Sequence, residues 1–216
     1  MEEAIEIINY KGCTIEILRD DNYQDSPDDW GDDNVFLVHY HRDFEIKRDE
    51  IITEDDAREL YQGNKIPQLK EYHIFKVDAY IHSGISLSLA GGFSGRLPQG
   101  HERFDVSSVG LVLVSKKEAK TEKQAEKLAK ILIGDWNDCL SGNVYGFITK
   151  DKETGETIDS CWGFYGYYTD SGIIDEAKGC IDGYIKNNAK KERKEYWNNE
   201  IKDAKKRIKE AEGKLK

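Results

Sequence analysis

The sequence predicts an α+β fold, a mainly antiparallel sheet packed with helices and followed by a long C-terminal helix. Three observations carry this. Strand-like stretches dominate the first half, hairpin turns outnumber β-α-β alternations, and apolar residues recur at helical spacing after residue 172. The chain of 216 residues is 34% charged, yet 12 Tyr, 7 Phe and 4 Trp supply the large apolar surfaces a core needs.

The elements follow in order. Ile5–Ile8 and Cys13–Leu18 alternate as strands, and Gly12 between them permits the backbone a tight hairpin needs. Residues 20–33 form an acidic loop rich in Asp, Asn, Ser, Pro and Gly. Val35–His41 reads as a buried strand. Thr53 then caps a helix whose first turn carries Asp55 and Asp56 beside the positive end of its dipole. Tyr72–Ile81 and Ile85–Ala90 are strands joined at His82-Ser83-Gly84, and Gly91–Arg103, with four Gly and Pro98, is a mobile loop. Val109–Val114 is a further strand. A helix from Lys116 to about Cys139 presents Ala125, Leu128, Ala129, Ile131 and Leu132 inward. Val144–Thr149 and Thr157–Phe164 form a hairpin around Lys152–Gly155. This organisation gives a core domain over residues 1–172 and a helix over 173–216.

Along that last helix Ile173, Ile174, Ala177, Cys180, Ile181, Tyr184 and Ile185 make one stripe. Farther on, Trp197, Ile201, Ala204, Ile208, Ala211 and Leu215 alternate spacings of four and three, the pattern of a coiled-coil seam. Two uses fit a seam this short: docking on the chain's own domain, or pairing with another helix, including that of a second copy.

Charge is unevenly spread. The net charge is −10, but residues 186–216 carry twelve basic and six acidic side chains, leaving −16 on residues 1–185. Seven aspartates, Asp20, Asp21, Asp25, Asp28, Asp29, Asp32 and Asp33, fall within fourteen residues and surround Trp30. Such a body repels phosphates, which excludes a general nucleic-acid binder. It suits instead a docking face for a basic protein surface, with Trp30 as an apolar anchor. The absence of an apolar run of about 20 residues predicts no membrane partner. Four widely spaced cysteines without a CxxC pair suit a reducing cytoplasm, where all four read as small buried hydrophobes.

Other chemistry is sparser. His39 and His41 share one strand face, and with His82 they are the candidate zinc ligands of a metal-dependent hydrolase; Asp105 stands beyond the glycine-rich loop. The Gly91–Arg103 loop lacks the Walker lysine, and Trp162–Tyr168 is an aromatic run; together they outline a small-ligand or nucleotide binder as a third alternative. No catalytic residue and no cofactor is assigned on these grounds.

His82-Ser83-Gly84-Ile85-Ser86-Leu87-Ser88, Asp25-Ser26-Pro27-Asp28-Asp29-Trp30, Asn143-Val144-Tyr145-Gly146-Phe147 and Asp159-Ser160-Cys161-Trp162-Gly163-Phe164 occur together. As a set they resemble a family of uncharacterised proteins from phages and integrative elements of Gram-positive bacteria. Where that pattern has Trp-Asp-Ser-Gly-Gln, this chain has Phe104-Asp105-Val106-Ser107-Ser108, keeping Asp105 and Ser107. The resemblance implies a mobile-element protein acting in the host cytoplasm. With the acidic face, it leads to the expectation of a non-enzymatic accessory protein that binds a basic host protein, such as an anti-defence inhibitor or nucleic-acid mimic.

Overall fold

A computed structural model describes residues 3–21, 27, 34–39, 52–64, 66 and 69–214. The chain adopts the expected α+β class, and the eight strands among the described residues are divided between two antiparallel sheets. Contacts gather it into two compact units.

The first unit holds β1 (Glu6–Tyr10), β2 (Cys13–Arg19), β7 (Val144–Asp151), β8 (Thr157–Tyr165) and α4 (Ile173–Lys214), with strand order β1-β2-β7-β8. Lys11 and Gly12 both take positive φ, 46° and 83°, the two-residue turn that matches the twist of its strands. In register, Ile8 faces Ile15 and Ile15 faces Thr149. Ile15, Ile17 and Phe147 bury completely on one face, against Ile173, Ala177 and Ile181 of α4. Those helix residues recur every fourth position, so one stripe covers the sheet. Each fully buried Ile contributes roughly 1.5–3 kcal/mol. Lys11 Nζ also bonds Asp182 of α4 at 2.8 Å, and Tyr184 donates to Asp151 at 3.4 Å.

The second unit holds β3 (Val35–His39), α1 (Glu54–Tyr61), β4 (Tyr72–Ile81), β5 (Ile85–Leu89), α2 (His101–Phe104), β6 (Val106–Ser115) and α3 (Glu122–Leu140). Strand order is β3-β6-β4-β5. One face packs Leu37, Val77, Ala79, Val112 and Val114 on α3, through Ala125, Ala129, Leu132 and Trp136. The other packs Phe36, Val38, Leu111 and Leu113 with Ile52 and Leu69, and Leu60 of α1 joins them. The α1 cap is the one expected: the Thr53 hydroxyl accepts the Asp56 N–H at 3.2 Å. The third helix starts at Glu122, not Lys116, because Thr121 and Gln124 exchange hydrogen bonds as a capping box. At the sheet edge, Leu87 N–H donates to Asn137 Oδ1 at 2.6 Å, and Asn137 Nδ2 donates to Leu87 O at 2.9 Å.

Candidate metal centre

The site is assembled by the register of two strands. Tyr80 of β4 faces Val106 of β6, and Ile81 N–H donates to Asp105 O at 2.8 Å. Asp105 therefore lies beside the end of β4, where His82 begins the turn into β5. Just before β6, Gly100 at φ 93° turns the chain into the single turn of α2. Asp105 N–H donates to His101 O at 2.8 Å, so the side chains at positions 101 and 105 share one side of that turn. Three segments thus meet at one sheet end.

Asp105 Oδ2 is 2.8 Å from His101 Nδ1 and 3.6 Å from His82 Nδ1. One donor atom from each of the three residues lies within 4.8 Å of the others. The imidazole centroids are 4.9 Å apart. Tyr80 Oη stands 3.0 Å from the same His101 Nδ1, and its ring stacks on His82 at 6.1 Å. Phe93 from the glycine-rich loop closes on Tyr80 at 6.0 Å. His101 and Asp105 side chains are 29% and 26% exposed, while His82 is 58% exposed, so the cluster is walled on one side and open to solvent on the other.

Bond lengths of 2.0–2.2 Å to imidazole nitrogen and carboxylate oxygen put tetrahedral donors about 3.3–3.6 Å apart. The His82–Asp105 separation fits that spacing, and the shorter His101–Asp105 contact is a hydrogen bond that would lengthen by about 0.5 Å to admit an ion. Two imidazoles and one carboxylate are a donor set for zinc or another late first-row ion, with coordination positions left for water.

His39 does not join this group. It pairs with Gly110, which pairs with Val77, five residues before His82. Its ring is 8% exposed and meets Trp136 of α3 edge-on at 6.5 Å. Ala79 and Ile81 face α3 with it, whereas Tyr80 and His82 alternate onto the opposite face. The expected His39–His82 pairing is therefore replaced by His82–His101, and His41 lies outside the described residues. His101 escaped the sequence reading; its signal is a His four residues ahead of an Asp, after a Pro-Gln-Gly turn.

Of the acidic face, Asp20 is half-buried, with its N–H donating to Val144 O at 2.8 Å, and Asp21 is exposed. Asp25, Asp28, Asp29, Trp30, Asp32 and Asp33 lie outside the described residues. The glycine-rich loop gives its amides to carboxylates: Gly91 N–H to Asp78 at 3.3 Å and Gly95 N–H to Glu102 at 2.6 Å. That arrangement disfavours phosphate there. A depression of about 150 Å³ beside Phe93 is lined by those carboxylates, Ser94 and Val106. The aromatic run is divided: Phe164 packs on Phe147 at 5.9 Å and Tyr168 on Tyr145 at 5.6 Å, whereas Trp162 and Tyr167 are exposed. Cys13 and Cys139 are buried as expected; Cys161 is exposed because the edge strand β8 turns it outward. Burial, and secondarily a hydrogen bond with Asp159, push the Cys180 thiol up to about 11.

Comparison with protein-family models, with curated proteins and with solved structures returns no match. Among the described residues, no helix is long and apolar enough to cross a membrane.

Proposed function

We propose that this protein binds a transition-metal ion through His82, His101 and Asp105 and uses it to activate water for hydrolysis. The observation that carries the reading is the convergence of those three donors, from the end of β4, from α2 and from the residue before β6, on a solvent-open face. A bound ion polarises a substrate oxygen and lowers the pKa of its water to about 7, while the open positions admit both. Tyr80 Oη lies on the same His101 Nδ1 as Asp105 and would have to yield that nitrogen to a bound ion. Asp78 and Glu102 make the adjoining depression acidic, which suits a neutral or cationic substrate better than a phosphate ester.

The test uses protein purified without an affinity tag. After chelation, Zn²⁺ or Co²⁺ is titrated by calorimetry and absorbance. One equivalent is expected, with affinity falling at least about 100-fold in His101→Ala and in Asp105→Asn. Equal stoichiometry and affinity in wild type and both variants overturn the reading.

A second reading keeps the docking role in a mobile-element setting. The seven aspartates between residues 20 and 33 favour it, together with the −16 body. Neutralising Asp28, Asp29, Asp32 and Asp33 to Asn is expected to abolish salt-sensitive retention on an immobilised basic protein surface. Unchanged retention of the quadruple variant removes this reading and leaves the metal centre untouched.

A further inference from the structure

Among the described side chains of the 42-residue helix α4, burial is confined to its first turns. Ile173, Ala177 and Ile181 are fully buried, but every residue from Ile185 to Arg207 is exposed. At 1.5 Å per residue the stretch from Ile185 to Lys214 spans roughly 45 Å. Within it Trp197 is 55% exposed and Ile201 is 51% exposed, four residues apart and thus on one face. An isolated helix in water has little to hold it except side-chain pairs and a partner.

We infer that this segment pairs in parallel with the same helix of a second copy, beginning at Trp197. On the sequence, Trp197, Ala204 and Ala211 take the d positions of a heptad and Ile201, Ile208 and Leu215 the a positions. β-Branched residues at a suit a two-stranded parallel coil. Side chains from Ile208 onward lie outside the described residues and enter through the heptad alone.

The flanking charges fix the orientation. In a parallel pair each g position meets the e′ position five residues on: Glu200 meets Lys205 of the second copy, and Arg207 meets its Glu212. Both pairings are attractive. In the antiparallel register that matches the whole seam, Trp197 lies opposite Leu215 and the midpoint falls at residue 206. Lys205 and Arg207 then each approach their own counterparts, and like charges oppose; Glu200 would still fall opposite Lys214, which gives two attractive contacts against the four of the parallel pair. Lys190 and Lys194 occupy the preceding seam positions, which stops the pairing from extending toward the globular unit. The remaining occupant of a basic helix is the acidic body of another copy; that union would dissolve in salt and would ignore Trp197 and Ile201.

Sedimentation of the full chain across about 1 to 100 μM tests this. The mass is expected to rise from 24.8 kDa toward twice that value. Ile201→Asp, at an exposed position that cannot unfold the core, should weaken the dimer at least about tenfold. E200K alone should weaken it, and E200K with K205E should restore it. With Cys161→Ser to silence the exposed thiol, Ala204→Cys should oxidise to a covalent dimer, since d-position cysteines of a parallel pair meet each other. A monomer throughout, a dimer indifferent to Ile201→Asp, or a dimer that separates in high salt and forms no 204–204′ disulfide overturns the inference. The metal centre is not involved, so neither result bears on the other.

Discussion

Tyr80 neighbours both imidazoles of the candidate metal centre. Its hydroxyl is 3.0 Å from His101 Nδ1, and its ring runs nearly parallel to His82 with centroids 6.1 Å apart. Tyr80→Phe keeps the ring and removes a hydroxyl that competes for His101 Nδ1; we expect metal affinity by calorimetry to hold or rise by about two- to tenfold, and a fall would count against Nδ1 as the ligand atom. Gly110 shows a different kind of necessity. A Cβ there would lie 2.2 Å from Val38 O and 2.7 Å from His39 Cα, both backbone atoms of the neighbouring strand. Backbone cannot rotate aside. Gly110→Ala should cost about 3 kcal/mol, read as a Tm fall of roughly 6–12 °C.

Among elements, the β7–β8 hairpin offers a pH test. Asp151 accepts the Thr154 N–H at 3.0 Å and the Glu153 N–H at 2.8 Å. Those bonds, Thr154's foremost, hold its carboxyl below the ordinary value of 3.8. Because the folded state prefers the ionised form, the stabilisation is full above the unfolded value and lost as pH falls through the folded one. Denaturant midpoints of wild type and Asp151→Ala should therefore differ at pH 5 and converge toward about pH 2. The hairpin itself was legible, since Val144–Thr149 and Thr157–Phe164 alternate around a Gly-containing turn. α2 was not. A four-residue helix has no periodicity, and its His101 meets His82 only through the pairing of β4 with β6. Local spacing suggested His39 and His41, because two-residue alternation puts them on one face, and His82 joined them as a third candidate. It could not say that His82 emerges on the other side of the sheet.

For the whole molecule, fold class was readable and strand partnership was not. Short turns announce β1–β2, β4–β5 and β7–β8, whereas β2–β7 and β3–β6 join stretches far apart in the chain, and nothing local records them. Hence one expected sheet became two. The charge division persists at this scale, −16 on residues 1–185 against +6 beyond. Fields from exposed charges decay over about 8 Å at physiological ionic strength. If the acidic body docks to a basic partner, affinity should drop by at least about tenfold between 50 and 300 mM salt, whereas the seam pairing of α4 should survive it.

The clasp of Asn137 on Leu87 has a consequence for life in a crowded solution. β5 ends its sheet, and a bare strand there would invite another chain to add itself and start a stack. A single amide borrowed from α3 fills the place that an invading strand would take, offering one acceptor and one donor where a neighbour would offer the same. Asn137→Ala should cost about 1–3 kcal/mol, and fibril-sensitive dye binding on prolonged incubation should rise with it. An unaltered dye signal would mean that this rim is guarded by something else.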